Sequence, residues 1–340
     1  MAELASPSAR ELQNPRRRRH KQRMQAYSPF RTVLLEREEL SRLHRLRPYI
    51  PVCHTALHWL LIIAAWVGVA VAPAVWMVVA SVLMTGVNFY GLYIIGHDGL
   101  HRRLFNDPRA NDLWNDLLIV GSFGAITRRN RCNHMEHHQD TCLETDPDRH
   151  KYLHTGKDAI MPFAVFLSGL ANLLPSVRNV FLRGEKKSRE RYGTRDLMIL
   201  AGWQASLLAG LSWAIGWWAY PVLWLFPVYA FGYRADLIRV FCEHSVTGPD
   251  NEADLSLRLI TYRSNMLEKL FFAPHNMNFH AAHHLWPGIP YYNLPRADRL
   301  MRKRAGEDPR LIVRGSYAAY LMEYMRWRMR GGPLPATTRA

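Results

Sequence analysis

The chain has 340 residues, 49% of them hydrophobic, and a formal net charge of +16 from 44 Lys and Arg against 28 Asp and Glu. That length holds one large domain or two smaller ones, and so basic a chain favours an anionic partner: a lipid surface, an acidic protein or nucleic acid. Only Cys53, Cys132, Cys142 and Cys242 are present and none forms a C-x-x-C pair, which excludes a zinc ribbon or a thioredoxin-like centre.

Residues 1–30 lack the apolar core of a secretory signal, so the cysteines read as reduced thiols on a cytosolic face. Residues 1–31 are polar and basic, centred on Arg16-Arg17-Arg18-Arg19-His20-Lys21. They read as a juxtamembrane arm drawn to anionic lipid. A nucleic-acid partner is not expected, because no folded binding module accompanies the arginine run. Residues 34–47 are expected to form a charged amphipathic helix, closing a basic N-terminal arm over 1–47.

Pro48 to Gly96 contains no Asp, Glu, Lys or Arg. One crossing needs about 20 residues, so the stretch predicts two spans, roughly 55–72 and 75–96, split at Ala72-Pro73-Ala74. Leu197 to Tyr233 repeats the pattern, with a break near Tyr220-Pro221 and a return helix running on through Arg234, Asp236 and Arg239. Trp203, Trp213, Trp217, Trp218 and Trp224 are expected as interfacial anchors, or as packing between helices. The predicted fold is an all-α integral membrane protein, with four transmembrane helices as two hairpins under a cytosolic helical cap. The membrane domain spans 48–305, and 306–340 form a basic tail. Two hairpins put both termini and every Lys and Arg on one side, which the positive-inside bias makes the cytoplasm. Ala159 to Val177 is also uncharged, but a fifth crossing would separate the histidine clusters, and Pro162 and Pro175 interrupt it. Residues 159–182 are therefore expected as an interfacial or re-entrant helix, as are 113–126, where Asp116 intervenes.

Histidines carry the chemistry. His97 and His101 stand at i, i+4; His134, His137 and His138 form H-x-x-H-H; His280, His283 and His284 repeat it; His244 follows the fourth apolar segment. On a helix these spacings share one face. Eight or nine imidazoles exceed one metal ion and suit two, each with four or five nitrogens, in the borderline class of iron or zinc. A structural zinc needs only four ligands, a catalytic zinc three and water. Asp98, Glu136, Asp146, Asp148 and Glu243 are candidates to accept the ligands' second N–H, with Asn278 as a further polar contact. His54 and His58 stand at i, i+4 at the entrance to the first span, where snorkelling or pore lining explains them; His150, His154 and His275 could support the ligands but read first as ordinary polar residues.

The order H-x-x-x-H, H-x-x-H-H, H-x-x-H-H around two apolar hairpins resembles the membrane fatty acid desaturase superfamily. The likeness extends to GHDGLHRRLFND, HMEHHQDTCLETDPDR and APHNMNFHAAHHLWPGIPYYNLP, over roughly residues 55–300. It implies a non-haem di-iron centre using O₂, with His97, His101, His134, His137, His138, His280, His283 and His284 as ligands. His244 matches an extra ligand that acyl-CoA desaturases carry after their fourth span. An Asn one turn before that ligand in those enzymes is Val240 here, so its role does not carry over.

The implied function is oxidation of a fatty acid or acyl chain, with desaturation as the default. Oxidative decarboxylation of a free fatty acid to a terminal alkene, hydroxylation and carotenoid ketolation are the alternatives within the superfamily. Outside it the alternatives are a zinc-dependent membrane hydrolase and a non-catalytic metal or lipid transporter, the latter calling for mid-bilayer polar residues of which Asn88 is one of few. No haem, Fe–S, flavin or nucleotide motif is evident, so electrons would come from an external donor of ferredoxin, rubredoxin or cytochrome b5 type. Arg102, Arg103, Arg128, Arg129 and Arg131 flank the first two boxes and are candidates to meet that carrier, a fatty-acid carboxylate or phospholipid headgroups.

Overall fold

The computed structural model describes residues 30–332 apart from 32, 144, 154–160, 171–191, 246–258 and 309. The Arg16–Arg19 run, His154 and most of the 159–182 segment lie outside the described residues.

The chain enters through α1, Arg37–Leu43, whose first turn is closed by the Glu36 N–H donating to the Glu39 carboxylate at 3.1 Å. This helix is shorter than the expected 34–47, ending at Leu43 with His44 as its C-cap. Helices α2, Tyr49–Val71, and α3, Val75–Leu100, then form a hairpin across Ala72–Ala74, where Ala72 leaves helical geometry at φ −135°, ψ 79°. Helix α2 starts before and α3 ends after the predicted spans, so His54 joins His58 inside α2, and His97 sits in the last turn of α3.

Helix α4, Pro108–Leu118, starts where the Asp107 carboxylate accepts from the Arg109 and Ala110 N–H groups at 2.6 and 3.0 Å. Its 11 residues are too few for a crossing. A 3₁₀ turn, Val120–Phe123, leads to α5, Thr127–Asp140, which carries the second box. The short α6, Arg149–Tyr152, and α7, Met161–Ser168, follow.

Helix α8 spans Thr194–Ala214. The chain turns at Ile215–Trp218, not at the expected Tyr220-Pro221, because Gly216 supplies the φ of +140° that a side chain disfavours. Pro221 sits instead in the first turn of the returning helix, where a missing N–H is tolerated. That helix runs from Ala219 to His244, widening into π turns at Pro221–Leu225 and Val228–Tyr233 before α9, Arg234–His244. Prolines in a helix remove a ladder hydrogen bond, and π turns absorb the mismatch.

The fold is not purely helical. Strand β1, Leu259–Tyr262, pairs in parallel with β2, Leu311–Arg314, in the register Leu259↔Leu311. The order from β1 is α10, Met266–Phe271; α11, His280–Leu285; α12, Leu294–Ala305; β2; and α13, Tyr317–Met329. The small sheet holds the approach to α11: the Tyr262 N–H donates to Asn278 O at 3.0 Å, and Asn278 Nδ2 returns a bond to Tyr262 O at 2.8 Å.

Helices α2, α3 and α8 are long and apolar enough to cross a membrane. On α2 and α8 the outer faces are apolar and open, with Leu57, Leu60, Ile63, Val67, Met198 and Leu208 exposed. Such a face suits lipid and not water. Of the expected anchors, Trp213 and Trp217 are 90% and 81% exposed beside the α8 turn, whereas Trp224 is fully buried, stacked on Trp59 and edge-on to Phe89. Trp203 also stacks on Trp59, with centroids 5.2 Å apart.

Candidate metal centre

Four elements deliver the histidines. The end of α3 supplies His97 and His101, α5 supplies His134, His137 and His138, α9 ends on His244, and α11 supplies His280, His283 and His284. The approach of α3 to its neighbours depends on two glycines of the first box. Asn115 Nδ2 donates to Gly96 O at 3.0 Å and Asn111 Nδ2 to Gly99 O at 2.9 Å. A Cβ on Gly99 would stand 2.3 Å from Asn115 Nδ2, a separation that atoms do not tolerate. Arg131 then ties α5 to the end of α3, donating to Leu100 O at 2.7 Å and Gly99 O at 3.0 Å while Asp112 holds its guanidinium. The far end of α11 is held by Arg31, whose Nε donates to Leu285 O at 2.7 Å.

All nine imidazoles converge. Nitrogens of His97, His101, His134, His138 and His283 lie within 4.8 Å of one another, and so do those of His137, His244 and His284. His244 and His280 group with Glu243 in the same way. Facing Nε2 atoms approach closely: His101 to His134 at 2.8 Å, His138 to His134 at 3.0 Å, His283 to His138 at 3.1 Å, and His280 to His244 at 2.8 Å.

Electrostatics keep these rings neutral. Burial pushes His134, His138, His280, His283 and His284 well below the usual imidazole pKa, with neighbouring histidines adding to the effect, and it carries His101 down to about 3. His137 is the exception: burial opposes its charge, but the hydrogen bond to Asp146 and that carboxylate's charge raise it. Neutral imidazoles with lone pairs crowded into one dry space match the donor set of a borderline metal ion. Nδ1 of His97 and His283 is buried without a hydrogen-bond partner among the described residues, as expected of side chains held by something other than the protein. Each of these groups could hold a metal ion.

The candidate outer groups divide. Asp146 receives His137 Nδ1 at 2.9 Å, and Glu243 Oε2 lies 3.2 Å from His280 Nδ1. Glu243 is itself held by Arg239 at 2.7 Å and the Tyr317 hydroxyl at 2.8 Å. Asp98 instead accepts the Tyr291 N–H at 2.8 Å, Asp148 pairs with Lys151 at 3.3 Å, Asn278 serves the β1 contact, and Glu136 is exposed. Their neighbours in sequence suggested histidine contacts that the helix faces do not permit.

Most of the flanking arginines are engaged inside the protein. Arg103 donates to His101 O and Gly288 O, Arg128 pairs with Asp196 at 2.5 Å, and Arg129 lies 4.2 Å over the Tyr192 ring. Arg102 lies in the left-handed region at φ 58°, and its side chain, like that of Arg129, makes no hydrogen bond to another described residue.

Two features had no counterpart in the sequence reading. One is a second histidine cluster: His58 Nε2 meets His275 Nε2 at 2.8 Å, Asn88 Oδ1 holds His58 Nδ1 at 2.9 Å, and His54 meets the Tyr291 hydroxyl at 2.8 Å. The other is a cavity of about 170 Å³ beside His97 and His134, lined also by Tyr93, Asn130, Asn133, Asp148 and Lys151. One local signal foreshadows it: Asn130, Asn133, His134 and His137 stand at i, i+3, i+4 and i+7, so both asparagines share the face of the box.

Three overlapping or adjoining histidine groups thus lie where α3, α5, α9 and α11 meet, in a chain with three helices long and apolar enough to cross a membrane. Residues 73–315 match the family described as Fatty acid desaturase, and the chain belongs to that family. It is 25% identical to an sn-1 oleoyl-lipid 12-desaturase of Arthrospira platensis, covering 71% of this chain and 73% of that one. It is 25% identical to beta-carotene 4-ketolase 3 of Haematococcus lacustris (74% and 72%), and 27% identical to the dihydrorhizobitoxine desaturase of Bradyrhizobium elkanii (82% and 83%). The family and these relatives make the chain an oxidoreductase of the desaturase or oxygenase type.

Proposed function

We propose that the protein is a multi-pass membrane enzyme that uses O₂ and two irons to oxidise a fatty acid or acyl chain, with desaturation as its default reaction. The convergence of nine imidazoles, most of them kept neutral by burial, into adjoining groups carries the reading. His97, His101, His134, His138 and His283 would hold one ion, and His137, His244, His280 and His284 the other, with Asp146 and Glu243 orienting His137 and His280. Iron in such a site supplies the O₂-dependent redox chemistry that an unactivated C–H bond requires and that zinc lacks. Desaturation removes two hydrogens from the chain and reduces O₂ to two waters, with two electrons and two protons from an external donor.

The chain's own residues set the conditions. Neutral rings leave their lone pairs free, the buried walls exclude bulk water, and Arg239 and Tyr317 hold Glu243 against His280. The membrane domain of residues 48–305 has four spans, α2, α3, α8 and the helical run beginning at Ala219. Both termini, the basic arm 1–47, the tail 306–340 and the histidine cap lie on the cytoplasmic side, where an acidic carrier of ferredoxin, rubredoxin or cytochrome b5 type is drawn to the positive face.

Oxidative decarboxylation of a free fatty acid is the second reading. The polar wall beside His97 and His134 favours it, since a carboxyl group would then lie near the reacting carbon. The deciding measurement supplies fatty acids with a reducing system and analyses headspace and lipid fractions by mass spectrometry. An unsaturated acid supports the first reading and a volatile alkene the second. Products formed without O₂ and reductant, or one zinc and no iron after growth in iron-replete medium, would exclude both.

A further inference from the structure

The cavity beside His97 and His134 has a polar composition at odds with a site built only for hydrocarbon. Its apolar wall is Val120, Phe123 and Leu100, but the remainder comprises Tyr93, Asn130, Asn133, Asp148 and Lys151. Tyr93, Asn130 and Asn133 make no side-chain hydrogen bond to a described residue, and all three are partly buried. Partly buried amides and hydroxyls without partners cost stability unless water or a ligand satisfies them.

Lys151 adds a charged donor. Its ammonium carries three N–H groups, and two are taken by Asp148 at 3.3 Å and Asp236 at 3.2 Å. Asp236 is held in turn by Arg239 at 2.9 Å. Arg239 also pairs with Glu243 at 2.7 Å, and one Lys151 N–H remains for a further acceptor. The wall thus offers donors from a phenol, two carboxamides and an ammonium, a set matched to an oxygen acceptor.

We infer that this cavity receives the acyl carbonyl end of the substrate, with Asn130, Asn133 and Lys151 as its recognition groups. A space of 170 Å³ is on the order of 7 Å across, roughly five to six carbon–carbon bonds of extended chain. His97 and His134 line the same space, so the carbon that reacts stands within about that many bonds of the carbonyl. The substrate is then an acyl compound oxidised near its polar end, and not in the middle of a long chain. This inference rests on the oxidative reading of the histidine centre and names the substrate geometry for it.

The test uses the full-length, iron-loaded protein in detergent with dodecanoic acid, dodecanamide, methyl dodecanoate and dodecane as probes. Equilibrium dialysis gives a Kd for each probe, and mass spectrometry of turnover mixtures locates the oxidised carbon. The expected result is binding of the carbonyl probes at least tenfold tighter than dodecane, with oxidation within the first six carbons. Asn133→Leu and Asn130→Leu, each checked for unchanged iron content, should weaken the carbonyl probes at least tenfold and leave dodecane as it was. Preference for the acid identifies a free fatty acid as the source, and preference for the ester an acyl lipid; both contain the inferred carbonyl. Oxidation at carbon 9 or beyond, or Kd values that neither asparagine variant changes by more than twofold, would overturn the inference. Binding with the stated asparagine dependence but no O₂-dependent product would leave the inference standing and remove the oxidative reading instead.

Discussion

Asp146 grips His137 through both carboxylate oxygens, with Nδ1 at 2.9 and 3.0 Å, so the ring presents Nε2 to the centre. The same carboxylate also accepts from the Tyr152 hydroxyl at 2.6 Å, the Cys142 N–H at 3.2 Å and the Asp148 N–H at 2.8 Å. One buried acid therefore fixes both the His137 tautomer and the loop that follows the second box. Asp146→Ala should weaken metal binding by about 10–100-fold, the usual cost of removing such a partner. Iron content after dialysis against a graded chelator series measures it, and retention equal to the parent protein would remove Asp146 from the assembly of the centre.

Gly99 shows why a box contains more than histidines. Its Cβ position is filled by Asn115, and its carbonyl is shared by Asn111 and Arg131. Gly99→Ala should cost about 1–3 kcal/mol through overpacking, lower the thermal midpoint and reduce iron content together. Gly202→Ala, in α8 where an added Cβ meets nothing within 4 Å, should leave both unchanged.

Arg131 separates a structural arginine from a docking one. Its four side-chain hydrogen bonds end on two α3 carbonyls and both oxygens of Asp112. Arg131→Ala strands those groups, and about 2–3 kcal/mol of stability should be lost. The KM for the electron donor should not change; a large rise in that KM with stability intact would make Arg131 part of the carrier surface.

The tryptophans predict a sharp contrast. Trp224→Ala empties a fully buried site between α2 and α3 and should cost about 3–5 kcal/mol. Trp213→Ala, at a site 90% exposed, should stay within about 0.5 kcal/mol in detergent but weaken partitioning into a bilayer. Thermal unfolding in detergent and liposome flotation check the two halves.

Removing the metal tests the centre as a whole. Chelation should abolish O₂-dependent turnover and lower the thermal midpoint, since an ion bound only by the folded state stabilises it. Ferrous ion should restore both effects. Zinc should restore the midpoint without the turnover; full turnover with zinc would mean a hydrolytic site.

The sequence by itself determined the periodic features. An uncharged stretch from Pro48 to Gly96 with a proline break can only be two apolar helices, and i, i+3, i+4 spacing puts His280, His283 and His284 on one face, because both are properties of a single helix. Tertiary structure decided what those helices meet. That His101 faces His134, that His280 faces His244, and that Asp146 rather than Glu136 serves His137 depend on how α3, α5, α9 and α11 cross. Those crossings are set by side chains far apart in the chain, such as Asn115 against Gly99 and Arg31 on Leu285. The turn before the fourth helical run shows the same limit: Pro221 is the stronger break signal in the sequence, yet Gly216 makes the turn, because a proline in a first helical turn costs nothing. The polar wall of Asn130, Asn133 and Lys151 appeared only once α5 and α6 closed on α3, since no local pattern brings residue 151 next to residue 97.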